Sequence, residues 1–170
     1  MATIFNALNR VEEGFRFYSY LGVFFVLGYF ALGPFIHELG HLLFLEVARC
    51  SYFLEPGWNV YTGFRAGLEI ECVTSSHVQL FFYISGYLTT LTSALTAFKF
   101  SQMFDGSNER VISIIGVGML VSIVSSITVK GDVYNALRML GLESFTGKVE
   151  IFVVVVLLVL GLFEAERHFD

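Results

Sequence analysis

Apolar positions in this chain fall into long runs separated by short polar stretches. The first run spans Phe17 to Val47. As one helix at 1.5 Å per residue it would reach roughly 45 Å, longer than a ~30 Å hydrocarbon core. Gly33-Pro34 falls in its middle. Proline lacks an amide donor and crowds the preceding turn, so the pattern predicts a spanning helix to about Leu32, a kink or break, and a second helical piece. One long tilted helix is the alternative. Three more apolar runs follow, His77 to Phe98, Val111 to Val129 and the Val-rich Val149 to Phe163. Ahead of them, Ile4, Phe5, Leu8, Val11 and Phe15 recur at helical spacing among Asn9, Arg10, Glu12 and Glu13. Residues 1–16 therefore read as a helix lying in a membrane interface, against a frayed polar terminus.

Arg49 to Ser76 has another texture. Pro56, Gly57, Gly63 and Gly67 punctuate it, and Leu68-Glu69-Ile70-Glu71-Cys72-Val73 alternates with period two. That alternation predicts a strand, with Asn59-Val60-Tyr61-Thr62 as its partner and Gly63 to Gly67 as the turn. The expectation is a small β-hairpin at the membrane surface, where Trp58 and Tyr61 suit the interface. The predicted fold is thus an all-α membrane protein of four to six helical segments carrying one hairpin. It forms one domain over residues 1–170: an interfacial helix at 1–16, a core at 17–140 and a last membrane helix at 149–165. Gly116-Val117-Gly118 and the Ser/Thr-rich stretch after Ser85-Gly86-Tyr87 supply the small residues that let membrane helices approach closely.

Composition supports this reading. Hydrophobic residues make up 55% of the chain, mean hydropathy is +0.70, and only 15% of residues are charged, against about 25% in soluble domains. The expectation is an integral, multi-pass membrane protein whose partners are the bilayer and membrane-protein substrates. No basic patch points to nucleic acid, and the N-terminus lacks the residue order of a signal peptide. Lys and Arg are spread over every loop, so charge does not orient the chain. Cys50 and Cys72 flank the hairpin segment and could be free thiols or a disulfide; free thiols are the expectation, because nothing else in the sequence indicates an oxidising compartment.

The chemistry lies in His37-Glu38-Leu39-Gly40-His41. On a helix, His37 and His41 share a face and can bind one metal ion, while Glu38 can act as general base on water. With four His and twelve Glu in 170 residues, chance would produce such a motif roughly one time in 150, and ionisable groups in a membrane helix mark function by default. The competing reading is a pair of buried, hydrogen-bonded histidines. A catalytic zinc takes three protein ligands and a water, so a third ligand is needed. Of the three Asp, Asp170 is terminal and Asp105 sits in a polar loop. Asp132, between apolar segments and after Gly131, is the strongest candidate; a helix N-cap explains it otherwise. His77 competes, although an interfacial helix start accounts for it. Glu46 points off the metal face, His168 lies in the polar tail, and Cys72 ranks below His77. Asn135, three residues after Asp132, can orient water or a substrate carbonyl, or simply pack between helices.

These residues resemble the site-2 protease family of intramembrane zinc metalloproteases. The likeness rests on His37-Glu38-Leu39-Gly40-His41 in a membrane segment, the hairpin-like stretch after it, Ser85-Gly86-Tyr87-Leu88, and an Asp-bearing motif late in the chain; it covers roughly Pro34 to Leu140. It implies Zn²⁺ held by His37, His41 and Asp132, Glu38 as the base, and a hairpin edge that receives an unwound substrate. The implied activity is hydrolysis of peptide bonds in membrane-spanning proteins. A catalytically inactive metal-binding membrane protein is the main alternative. A lipid-modifying di-metal enzyme calls for more histidines, and a transporter calls for repeated halves that are not visible here.

Overall fold

A computed structural model describes residues 18–59, 63–70, 72, 75–126, 131–149, 151–152, 154–156 and 159. The interfacial helix expected at 1–16, Tyr61 and His168 lie outside the described residues. The fold is mostly helical: α1 (Tyr18–Val47), β1 (Tyr52–Asn59), β2 (Gly63–Ile70), α2 (Ser76–Ser101), α3 (Ser107–Ser126), α4 (Asp132–Met139) and a 3-10 turn at Glu143–Phe145. At its described positions, the 146–159 stretch is helical too. Two helices, Tyr18–Val47 and Ser107–Val124, are long and apolar enough to cross a membrane.

Helix α1 runs without a break through Pro34. It widens into a π turn over Gly28–Leu32, where the Gly33 amide donates to the Gly28 carbonyl five residues back. Pro34 follows at the start of the next α-helical stretch. It cannot donate to residue 30 and its ring presses on the carbonyl there, so a widened turn just ahead of it relieves both conflicts. The helix ends in a Schellman motif, with Cys50 N–H donating to Leu45 O at 3.0 Å and Arg49 N–H to Glu46 O at 3.1 Å. Arg49 takes φ +54° to close it, a conformation usually left to glycine. The equivalent position after α4 is Gly141, φ +69°.

β1 and β2 pair antiparallel from Tyr52↔Ile70 to Asn59↔Gly63. The first strand therefore begins well before Asn59, and Gly63 to Gly67 is strand instead of turn. β2 packs along α1 as far as its π turn, so the hairpin doubles back beside the helix and does not stand off at its end. Cys50 and Cys72 form a disulfide, which corrects the expectation of free thiols. The register explains the pairing: Tyr52 faces Ile70, and two residues further out Cys50 faces Cys72.

The core joins α2 to α3 through Ala94, Phe98, Met119, Leu120 and Ile123, with Leu32 and Ile36 of α1 and Val133 of α4 packed against it. α1 and α3 cross where Gly118 meets Gly28; a Cβ on Gly118 would lie 2.6 Å from the Phe25 carbonyl oxygen. This close crossing fixes where the second half of α1 faces α2 and α4.

Candidate metal centre

The inward face of α1 carries Gly33, His37, Gly40, His41 and Leu45, all buried. α4 begins at Asp132, and Gly131, not Asp132, is its N-cap. The carboxylate is thus in the first turn, where the helix dipole favours it, and is free to reach across to α1. Asp132 Oδ2 lies 3.0 Å from His37 Nε2 and 3.0 Å from His41 Nε2, and the two nitrogens are 3.2 Å apart. Residues 95 and 91 positions apart in sequence close a triangle around one point. Burial pushes the Asp132 carboxyl up, but the His37 and His41 imidazoles beside it outweigh burial and hold the group below the usual carboxylate range.

The outer contacts set the tautomer of His41. Its Nδ1–H donates to the Phe82 carbonyl at 2.8 Å, which leaves the Nε2 lone pair aimed at the triangle. Ser85 Oγ sits 3.3 Å from the same Nδ1 and donates to the same carbonyl at 2.7 Å. Phe82 also lays its ring 4.5 Å from the His41 ring, and Tyr87 meets His37 edge-on at 4.7 Å. Gly86 is what allows α2 this close: a Cβ there would fall 2.7 Å from both His41 Nε2 and His37 Cε1.

The donor set fits a metal ion. With His41 protonated at Nδ1, its Nε2 and the Asp132 oxygen face each other as two acceptors, an arrangement that calls for a cation or proton between them. Ligands at ~2.0–2.1 Å from a tetrahedral centre stand about 3.3 Å apart, so the triangle need open by only a few tenths of an ångström. Access is one-sided: the Asp132 side chain is 26% exposed, those of His37 and His41 11% and 4%. Glu38, half-buried, is near enough to act electrostatically on His41.

Three of the residues singled out in the sequence, His37, His41 and Asp132, come together and could hold a metal ion. Asn135 lies half-buried on α4, three residues after Asp132. His77 is exposed at the start of α2 and Asp105 is exposed in its loop. Glu46 accepts a hydrogen bond from the Tyr52 hydroxyl at 3.1 Å, and Cys72 is spent in the disulfide. Sequence reasoning missed Phe82 and Ser85. Phe82 acts through its backbone carbonyl, which no side-chain pattern signals. Ser85 could have been found as the small polar residue beside Gly86. Comparison of the chain with protein-family models, curated proteins and solved structures yields no match.

Proposed function

We propose that this chain is a multi-pass membrane protein that hydrolyses peptide bonds of membrane-spanning substrates, a zinc-dependent intramembrane endopeptidase of the kind the site-2 proteases represent. The observation that carries this reading is the convergence of His37, His41 and Asp132 beside Glu38 on a helix apolar enough to cross a bilayer. Ionisable groups are costly at membrane depth, and a buried cluster of them facing inward marks a working site. The outward face of the same helix supports the membrane setting, since Leu43 is 54% exposed and Val47 84%.

His37 Nε2, His41 Nε2 and an Asp132 oxygen would hold the ion. A zinc ion there supplies a Lewis acid that acidifies water toward a pKa of ~7. Glu38 would be the residue that holds a proton taken from water and hands it to the leaving amine. The Phe82 carbonyl keeps His41 in its ligating tautomer, and the exposed side of Asp132 admits water and substrate. The hairpin along α1 offers backbone groups to an extended peptide by β-augmentation, and Asn135 can steady a carbonyl of that peptide. Disulfides persist in oxidising compartments, so the Cys50–Cys72 bridge favours a topology with the hairpin end of the bundle on such a side.

The test is cleavage of a single-span substrate by detergent-purified protein loaded with zinc, wild type against Glu38→Gln. The expected result is equal zinc content and a loss of about 10²–10⁴ in rate, the usual contribution of a positioned base. Zinc-loaded wild type that cuts no substrate would leave a metal-binding membrane protein that acts by binding. Unchanged cleavage by Glu38→Gln would remove Glu38 from the chemistry.

A further inference from the structure

The Cys50–Cys72 disulfide joins the end of α1 to the chain that enters α2. Packing between the two helix ends is interrupted there by a cavity of about 180 Å³, walled by Leu45 of α1 and by Val78, Gln79, Phe82 and Tyr83 of α2. Cys72 lines this cavity and Cys50 does not. Gln79 is exposed, so the cavity opens to the surface, and more of its wall is polar than apolar. A small polar molecule therefore reaches the disulfide from one side, at Cys72. Phe82 stands between the cavity and the candidate metal centre. Its ring lies 4.5 Å from the His41 ring, and its carbonyl accepts the His41 hydrogen bond at 2.8 Å.

The structure assigns Cys72 as the sulfur at which a small thiol opens the Cys50–Cys72 bridge, and the bridge as a redox-controlled clamp on the metal centre. Metal binding by His37, His41 and Asp132 is all the clamp requires, so it stands or falls apart from peptide hydrolysis. A disulfide opens by attack of a thiolate on one of its sulfurs, through a mixed disulfide, and access helps decide which sulfur is attacked. Here the thiolate of a small thiol bonds to Cys72 Sγ and the Cys50–Cys72 bond breaks. Cys50 leaves as a thiolate and takes up the proton that the thiol lost. A second thiol attacks the outer sulfur of the mixed disulfide and frees Cys72, so two thiols are oxidised to one disulfide while the bridge is reduced to two thiols. Liquid water occupies ~30 Å³ per molecule, so the cavity holds several waters or the cysteine end of a small peptide thiol, and a folded protein stays outside. Gln79 and Tyr83 offer partners to the amides of such a thiol. With the bridge intact, α1 and α2 are pinned at this end despite the cavity. With it open, only the interrupted packing holds them, and an adduct on Cys72 presses toward Phe82. Both changes shift the Phe82 carbonyl relative to His41 Nδ1, and losing an orienting partner lowers metal affinity about 10–100-fold.

The experiment uses the full chain in detergent, with reduced glutathione as the probe. After brief exposure, free thiols are capped with N-ethylmaleimide and both cysteines are mapped by mass spectrometry. Glutathione should sit on Cys72 and maleimide on Cys50, about tenfold or more over the reverse pattern. Val78→Trp, which fills the cavity, should slow opening by about tenfold in the folded protein, and should open at the wild-type rate once both are unfolded in guanidinium chloride. Glutathione shared equally between the cysteines, or an unchanged rate in folded Val78→Trp, would overturn Cys72 as the point of attack. Zinc affinity reads the clamp. Bridged protein is titrated beside protein that has been reduced, capped with iodoacetamide so that freed thiols cannot take zinc, and cleared of reagent. The opened form should bind zinc about tenfold or more weakly, and a Cys50→Ser, Cys72→Ser double variant should match it. If the double variant does not fold, the reduced and capped wild type makes the same comparison. Equal affinity of bridged and opened protein would overturn the clamp and leave a structural staple. Bridged wild type that binds no zinc would overturn the metal centre and the clamp together, whereas zinc bound without peptide cleavage would remove the hydrolase and leave the clamp standing.

Discussion

Between Gly33 and Val47 the inward face of α1 carries His37, His41 and Leu45 with two glycines, while the outward one carries Phe35, Leu39, Leu43 and Val47 at strict four-residue spacing. A helix in water shows the reverse order, with charge outside and an apolar stripe inside. Here the apolar stripe makes no core, and the polar pair is packed against α2 and α4. The difference separates two jobs along one segment. The inward residues are fixed by what they must hold, and the outward ones by the medium they must suit.

Changes to the two faces should therefore fail in different ways. The largest effect belongs to the inward face: Asp132→Ala and His37→Ala should each lose bound zinc, falling from near one ion per chain toward none by mass spectrometry. Zinc kept in Asp132→Ala would send the third-ligand assignment elsewhere. Next comes the outward Leu43→Asp. On the proposed membrane reading, an Asp there, four residues from the helix end, should weaken membrane insertion of α1 by about 2 kcal/mol while zinc content in detergent stays at the wild-type value. Insertion equal to wild type would mean that face does not meet lipid. Gly86→Ala returns to the inward side. Overpacking of this kind destabilises by about 1–3 kcal/mol, so a lower Tm with weaker zinc binding is expected. Gly147→Ala, where a Cβ would have open space around it, should do neither and serves as the control. The smallest change is Ser85→Ala. Loss of an orienting partner typically lowers metal affinity 10–100-fold, but the Phe82 carbonyl remains, so a zinc titration should show less than tenfold.

The sequence made the local part of the site plain and left the distant parts to elimination. His37 and His41 are one helical turn apart, a relation periodicity encodes directly. Asp132 was reachable because the chain holds only three Asp, although nothing in its surroundings stated that α4 would return to α1. The hairpin was legible as a presence and misread in register. Pro56-Gly57 reads as a strand breaker, yet in a two-stranded hairpin every strand is an edge and a missing amide there need break no ladder. The disulfide was missed because the sequence carries no other sign of an oxidising compartment, although with Tyr52 set against Ile70 the register brings Cys50 opposite Cys72. The Phe82 carbonyl was invisible because every residue has one, and only the packing of α2 selects it.

The π turn at Gly28–Leu32 has a consequence for how this chain tolerates insertions and deletions. A π turn accommodates one residue beyond what the α-helical path needs, and each residue of an α-helix advances the phase by about 100°. The apolar stretch from Tyr18 to Val47 is thus two helical phases laid end to end, with the offset stored ahead of Pro34. Removing one residue from the turn would leave every ligand in the sequence and keep the helix apolar throughout. It would also let the turn revert to plain α-helix, so the His37–His41 face would still meet Asp132.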